Sequence, residues 1–370
     1  MKDSKRPYRI IFTGGGTGGH IYPAIAIANE LRSQDLDSEI LFVGAKGKME
    51  MTKAPEYGYK IVGLNVRGLQ RRLTWQNLLF PFRLAQSYWM AGKIIREFKP
   101  DAVVGTGGYA SGPAVMAALR KGVPVLIQEQ NSYPGLANRR FAKKAKKVCV
   151  AYEGMEKYFD EDKLVLTGNP VRNDILSLGE KRRTALGNYG FSEHKKTVLV
   201  IGGSLGARTI NESIAGSIDK LLEAGLQVVW QTGSYYYDEM VARTKGSMTS
   251  SLVITRFIDK MDLAYAAADL VVSRAGALSI SELCIVGKPV VFVPSPNVAE
   301  DHQTKNAKAL VDKQAAIMVA DFEAVEKLSE ETIALAGQDE KRKLLSENIS
   351  KMARPGAAKE IVKELKLIMN

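Results

Sequence analysis

A chain of 370 residues with an apolar fraction of 45% has the composition of a soluble globular protein and is too long for one ordinary core, so two domains are expected. No uncharged apolar run approaches the ~20 residues of a membrane span, and a first strand beginning by Tyr8 leaves no room for a signal peptide, so a cytoplasmic protein is expected. Cys149 and Cys284 each sit inside apolar sequence, which argues for core thiols and against a disulfide or a metal site.

The net charge of +12 is unevenly distributed. Residues 1–170 carry 26 Lys and Arg against 15 Asp and Glu, and the remainder carries 26 against 25. The first half therefore faces something anionic: a phosphorylated acceptor, an acidic membrane surface or nucleic acid. A generally basic soluble protein is the plainer alternative.

The chain opens with strand, loop and helix. Tyr8 to Phe12 reads as a strand, Thr13-Gly14-Gly15-Gly16-Thr17-Gly18-Gly19-His20 as a loop, and Ile21 to Arg32 as a helix by its apolar spacing. The glycines let backbone N–H groups close on a ligand in front of a helix N-terminus, where the macrodipole favours an anion; a diphosphate is the first ligand expected. Gly14, Gly16 and Gly19 also satisfy Gly-x-Gly-x-x-Gly. A dinucleotide site further requires an acid at the end of the second strand. Here Ile40 to Val43 ends in Gly44-Ala45-Lys46, with Glu39 at the opposite end, which argues against NAD. A glycine turn that only lets helix pack on strand remains open beside the phosphate reading.

A basic loop (Lys46, Lys48, Lys53) precedes an aromatic segment holding Trp75, Leu78, Leu79, Phe82, Tyr88 and Trp89, flanked by Arg71, Arg72 and Arg83. Its spacing is helical, with Pro81 bending or interrupting it. Two readings stand: a core helix against the sheet, or a membrane patch of Trp75, Leu79 and Phe82 rimmed by arginines. Ala102 to Val104 is a buried strand, followed by a second glycine loop, Gly105-Thr106-Gly107-Gly108-Tyr109-Ala110-Ser111-Gly112-Pro113, and a helix to Arg120. Two such loops at the C-terminal edge of one parallel sheet share a crevice. The strand Val123 to Ile127 ends in Gln128-Glu129-Gln130-Asn131-Ser132 at that same edge. A basic helix carrying Arg139, Arg140, Lys143, Lys144, Lys146 and Lys147 reads as a solvated face or an anionic lipid contact.

Thr167-Gly168-Asn169-Pro170-Val171-Arg172 breaks the pattern and marks a domain boundary. The strand Val198 to Ile201, a third glycine loop (Gly202 to Arg208) and a helix from Thr209 to Ala224 restart it. Strands at Val228 to Trp230, Leu252 to Thr255, Leu270 to Val272, Val290 to Val293 and Ala316 to Val319 follow. The expected fold is α/β, with two doubly wound Rossmann-like domains facing across a cleft: residues 1–170 and 171–353, the helix at 354–370 crossing back to the first.

Ser273-Arg274-Ala275-Gly276-Ala277-Leu278-Ser279-Ile280-Ser281-Glu282 leaves a strand and opens a helix, offering backbone donors for phosphate and then a carboxylate for two ribose hydroxyls. A surface helix residue is the plainer reading of Glu282. Gly14 to His20, Gly105 to Pro113, Gly202 to Ala207, and Ser273 to Glu282 followed by Val290-Val291-Phe292-Val293-Pro294 together resemble the MurG family over essentially the whole chain.

The resemblance implies a GT-B fold and inverting transfer of GlcNAc from UDP-GlcNAc to the C4 hydroxyl of undecaprenyl-pyrophosphoryl-MurNAc-pentapeptide, by a peripheral enzyme at the cytoplasmic face of an anionic membrane. It implies donor contacts from Thr17, Gly18, Gly19, Asn131, Arg172, Ser204, Ile258, Ala277, Leu278, Ser279, Ile280, Ser281, Glu282 and Gln303, with Glu282 on the ribose, Ile258 on the uracil, and Arg172 and Ser204 on the diphosphate. The family commonly has a glutamine pair where this chain has His302-Gln303. Gly15, Gly16, Gly107, Gly108 and Tyr109 are expected at the acceptor diphosphate.

The general base of such a reaction is expected to be His20, whose imidazole accepts a proton near neutral pH, with Glu129 the alternative and a structural, helix-capping histidine also open. Helix dipoles and Arg172 suffice for the departing UDP, so neither a cofactor nor a bound metal is expected. Asp35-Leu36-Asp37 precedes its strand and reads as a solvated turn. A UDP-GlcNAc epimerase on a similar fold and a basic nucleic-acid-binding protein are the competing functions; the second leaves the glycine loops and Glu282 unexplained, so no nucleic acid partner is expected.

Overall fold

The computed structural model describes residues 6–66, 80–176, 178–179, 181–203, 205–298 and 301–369. Trp75, Leu78, Leu79, Arg71, Arg72 and Ser204 lie outside the described residues. The chain divides into two compact units, residues 1–171 with 355–370, and residues 172–354.

The first unit is a seven-stranded parallel sheet in the order β3-β2-β1-β4-β5-β6-β7. Its strands are β1 (Arg9–Gly14), β2 (Glu39–Ala45), β3 (Lys60–Leu64), β4 (Ala102–Gly107), β5 (Val125–Glu129), β6 (Lys147–Val150) and β7 (Leu164–Leu166). Continuous apolar runs make the central strands because helices cover both faces: Ile10, Ile11 and Phe12 are all fully buried. The intervening helices are α1 (Gly18–Gln34), α2 (Glu50–Glu56), α3 (Phe80–Phe98), α4 (Gly112–Arg120) and α5 (Leu136–Ala142).

Two local expectations are refined here. Pro81 is the second residue of α3, in a first turn where a missing N–H costs nothing, and the segment before it lies outside the described residues. That helix buries one face and exposes aromatic side chains on another. Ala91, Ile94 and Ile95 enter the core, while Phe82 (75% exposed) and Trp89 (67% exposed) point outward seven residues apart. The basic stretch is shorter as a helix than its charges suggested: α5 stops at Ala142, Lys143 to Lys146 lie in the turn beyond it, and Lys147 opens β6.

The second unit repeats the plan with six parallel strands in the order β10-β9-β8-β11-β12-β13. They are β8 (Thr197–Ile201), β9 (Gln227–Gln231), β10 (Leu252–Thr255), β11 (Leu270–Ser273), β12 (Val290–Phe292) and β13 (Ile317–Met318). Its helices are α6 (Lys181–Tyr189), α7 (Arg208–Glu223), α8 (Tyr237–Arg243), α9 (Met261–Ala267), α10 (Ala277–Val286), α11 (His302–Val311), α12 (Ala324–Gly337) and α13 (Asp339–Ser350). On α7 the buried Ile210, Ile214, Ile218 and Leu221 recur at helical spacing and pack on the sheet with Trp230.

The last helix, α14 (Ala357–Met369), belongs to the first unit. Ile361, Val362 and Leu365 are fully buried in one cluster with Phe12, Ile27 and Leu31.

Candidate functional site

In the first unit the two glycine loops meet at the C-terminal edge of the sheet. The β1–β4 register shifts at the strand ends, bringing Gly14 opposite Gly107. Gly108 requires its lack of a side chain: φ is +75°, and a Cβ there would lie 2.3 Å from Gly15 O and 2.9 Å from His20 Cδ2. Tyr109 lies beside Gly16 and packs on the core below. Thr17 and Gly19 are exposed at the start of α1, whose first turn carries no acid.

Beneath the first loop stands a residue that sequence reasoning missed. Glu50, at the start of α2, is completely buried, and its two carboxylate oxygens accept from Gly16 N (2.9 Å) and Ala45 N (2.9 Å). The expectation that Gly16 offers its amide to a phosphate is therefore corrected: that N–H points inward at Glu50. A charged acceptor shared by two backbone donors is a strong local constraint. It ties the glycine loop to the end of β2.

His20 sits where the two loops converge. Its Nδ1 lies 3.0 Å from Thr106 O and 3.0 Å from Gln130 Oε1, and its own carbonyl accepts from Thr106 Oγ1 (2.7 Å). Gln130 is buried; its Nε2 donates to Thr106 O (2.7 Å) and Gln128 O (3.1 Å) and also reaches Gln128 Oε1. Gln128 Nε2 donates to Asn169 Oδ1 (2.9 Å), and Asn169 Nδ2 donates to Gln130 O (3.0 Å).

Glu129 is differently placed. It is 1% exposed, and its oxygens accept from Asn131 N (3.0 Å), Asn131 Nδ2 (3.2 Å), Gly135 N (3.1 Å) and Asn138 Nδ2 (2.9 Å). Four donors on a buried carboxylate leave it no lone pair directed outward for proton abstraction. It orders the loop from Asn131 to the start of α5. The alternative base is thereby corrected to a structural role.

In the second unit the loop after β8 packs backbone on backbone. Gly206 has φ +84°, and a Cβ there would lie 2.0 Å from Thr232 O. Gln231 joins this loop to the next: its Nε2 donates to Gly203 O (3.0 Å), and its Oε1 accepts from Ile258 N (3.0 Å). Ile258 thus has its N–H engaged, which narrows the expected uracil contact to its carbonyl. The first turns of α7 and α10 contain no acid of their own, although Asp321 accepts from Thr209 Oγ1 (2.9 Å) at the start of α7. Ala277 and Ile280 are buried, Leu278, Ser279 and Ser281 half-buried, and Ser281 Oγ donates to Ala277 O (3.0 Å).

Glu282 faces inward from α10, not out to solvent. Its Oε1 accepts from Arg172 Nε (3.0 Å) and its Oε2 from Tyr265 OH (3.0 Å). Tyr265 is fully buried; burial, and then the adjacent carboxylate, push its phenol well above the ordinary value, so it remains a protonated donor. Gln303 Oε1 accepts from Ser295 N (2.9 Å), which orients its amide at the start of α11. Arg274 donates to Val293 O (2.9 Å) and Pro294 O (3.2 Å) and pairs with Asp321, bracing the loop after β12. Among the described residues no group of three or more His, Cys, Asp or Glu could hold a metal ion.

Comparisons with known proteins match this arrangement along its whole length. The Glycosyltransferase family 28 N-terminal domain matches residues 10–150, and the Glycosyltransferase family 28 C-terminal domain matches residues 197–363. A protein of Parabacteroides distasonis named UDP-N-acetylglucosamine--N-acetylmuramyl-(pentapeptide) pyrophosphoryl-undecaprenol N-acetylglucosamine transferase is 56% identical, over 99% of each chain. The crystal structure of Acinetobacter baumannii MurG superposes with a TM-score of 0.74 at 27% identity, covering 98% of this chain and 100% of that one. A UDP-GlcNAc 2-epimerase from Neisseria meningitidis shares the fold at a TM-score of 0.68, with 17% identity over 97% of this chain and 99% of the other. With both domains matched in order and sequence identity extending from end to end, the chain belongs to glycosyltransferase family 28 and, within it, to the MurG family.

Proposed function

We propose that this chain transfers GlcNAc from UDP-GlcNAc to the C4 hydroxyl of the undecaprenyl-pyrophosphoryl-MurNAc-pentapeptide, completing the lipid-linked peptidoglycan precursor. The observation that carries the mechanism is His20, held at the junction of two glycine loops with Nδ1 against Thr106 O and Gln130 Oε1. A base beside loops suited to an anionic group is what a pyrophosphoryl acceptor with a reacting hydroxyl requires.

In the reaction, His20 Nε2 takes the proton of the C4 hydroxyl as its oxygen bonds to the anomeric carbon. The bond from that carbon to the β-phosphate oxygen breaks, its electron pair leaving with UDP, and the anomeric centre inverts. Gly15, Gly107, Gly108 and Tyr109 surround the acceptor diphosphate. Thr17, Gly18, Gly19 and Asn131 supply the first unit's contacts to the transferred sugar.

The second unit holds the donor. Glu282 takes the ribose hydroxyls, the Ile258 carbonyl the uracil edge, and Gln303 the sugar, while Ser204, Arg172 and the N-terminus from Ala277 to Ser281 neutralise the diphosphate. The step as written balances without a cofactor or a metal.

Phe82 and Trp89, exposed on one face of α3, support peripheral association with an anionic membrane surface on its cytoplasmic side. No described helix is long and apolar enough to cross a membrane.

The deciding experiment is transfer of labelled GlcNAc from UDP-GlcNAc to a lipid-linked muramoyl-pentapeptide, beside a reaction lacking acceptor. Labelled disaccharide lipid and stoichiometric UDP are expected. Conversion of the donor to an epimer without acceptor, and no transfer with it, would establish the epimerase instead.

A further inference from the structure

We propose that Gln130 is a positioning residue that, with Thr106 O, locks His20 as the Nδ1–H tautomer and so leaves Nε2 as the basic nitrogen. The inference rests on the reading of His20 as the base, and nothing in the resemblance assigns Gln130 a role. It follows from the sense in which each hydrogen bond must run.

A backbone carbonyl can only accept. Asn169 Nδ2 therefore faces Gln130 O, which turns Asn169 Oδ1 toward Gln128 and makes the Gln128 amide nitrogen the donor to it. The other end of the Gln128 amide is then an oxygen, so Gln130 Nε2 faces only acceptors (that oxygen, Thr106 O and Gln128 O) and shares its two hydrogens among them. A reversed Gln130 would set its oxygen among three acceptors. Its Oε1 is thereby committed to His20.

His20 Nδ1 consequently faces two oxygens that can only accept, and must carry the proton. In the neutral ring the lone pair then lies on Nε2, which has no hydrogen-bond partner among the described residues. Gln128, Gln130 and Asn169 are each no more than 2% exposed, so water does not compete for these positions. When Nε2 gains the sugar proton, both oxygens already face the imidazolium N–H and stabilise its charge.

The test uses the full chain labelled with 15N-histidine. There are three histidines, and the His20 signals are assigned by their loss in His20→Asn. Wild type is expected to show a protonated Nδ1 and an unprotonated Nε2 at a pH where the ring is neutral. Gln130→Leu should shift population toward the Nε2–H form and lower kcat about 10- to 100-fold, with KM for UDP-GlcNAc within about twofold. Gln130→Glu, which retains an acceptor at Nδ1, should keep the Nδ1–H signal and lie nearer wild type in kcat than Gln130→Leu.

An Nε2–H signal in wild type overturns the proposal. So does a Gln130→Leu protein with tautomer and kcat both unchanged, or two Gln130 variants equally impaired while near-UV circular dichroism and UDP affinity match wild type. His20→Ala retaining kcat within about twofold would instead remove the base reading, leaving the tautomer measurement to be judged by itself.

Discussion

Arg172 Nε stands 3.0 Å from Glu282 Oε1, so the two charges assigned to the donor's diphosphate and ribose hold each other. Donor binding in the proposed mode exchanges one pair for two. Glu282 gives up Arg172 for the ribose hydroxyls, and Arg172 turns to phosphate.

Glu282→Ala is accordingly expected to weaken UDP-GlcNAc binding by on the order of 10- to 100-fold, the range for hydrogen bonds to a charged group. Arg172→Ala acts in the same direction. The double variant should fall short of the summed losses, because each single change leaves one partner's charge uncompensated. Tyr265→Phe, removing one donor to the carboxylate, should cost only a few-fold. Calorimetric titration with UDP-GlcNAc reads all four, and unchanged affinity in Glu282→Ala would refute the ribose role.

Glu50 offers a test confined to the other unit. Glu50→Ala leaves the Gly16 and Ala45 amides unpaired in a buried site, and about 2 to 5 kcal/mol of stability should be lost. Because Glu50 belongs to the first unit, UDP affinity should hold while kcat falls. Denaturant unfolding and initial-rate kinetics separate the two effects; an active loop of wild-type stability would show that the carboxylate is dispensable.

Replacing Phe82 and Trp89 together with serine should reduce binding to vesicles containing anionic lipid by on the order of tenfold, since each removes exposed apolar area that a membrane would cover. The melting temperature should barely move, because surface substitutions of this kind stay near ±0.5 kcal/mol. Vesicle co-sedimentation reads the first and calorimetry the second. A large loss of stability would return α3 to a purely internal role.

The two thiols give a pH prediction. Burial pushes the Cys284 thiol up to about 12 and raises that of Cys149 as well. Both should resist a thiol reagent at pH 8 in the native protein and react on unfolding. Above the ordinary thiol pKa the unfolded chain releases protons that the folded one retains, so stability falls as pH rises from about 9 toward 12, by at most about 1.4 kcal/mol per pH unit for each thiol. Below pH 9 the contribution is complete. Denaturant midpoints across that range check the sign.

The strands easiest to read were those buried on both faces. Ile10 to Phe12, Ala102 to Val104 and Val198 to Ile201 are unbroken apolar runs because helices cover the sheet on each side. β3, β6 and β7 escaped the sequence pattern. Lys60–Leu64 is short and broken by Gly63, Lys147–Val150 hides behind a lysine run, and Leu164–Leu166 is a half-buried edge strand of three residues. The glycine loops were legible because their composition is local. Glu50 was not, since Lys-Met-Glu-Met-Thr-Lys looks like a solvated helix face and only the tertiary fold turns its carboxylate inward. The polar run Gln128 to Ser132 could be located at the sheet edge, yet which members face each other depends on Asn169, far along the chain.

The packing of α14 on α1 sets an order of events during synthesis. Ile361, Val362 and Leu365 fill the same interior as Phe12 and Leu31, so the unit translated first lacks part of its core until the final helix has emerged. The intervening unit, continuous in sequence, has every strand it needs before then. The half that begins the chain is therefore the last to finish folding, since its core closes only when residues 357–369 are free to pack on it.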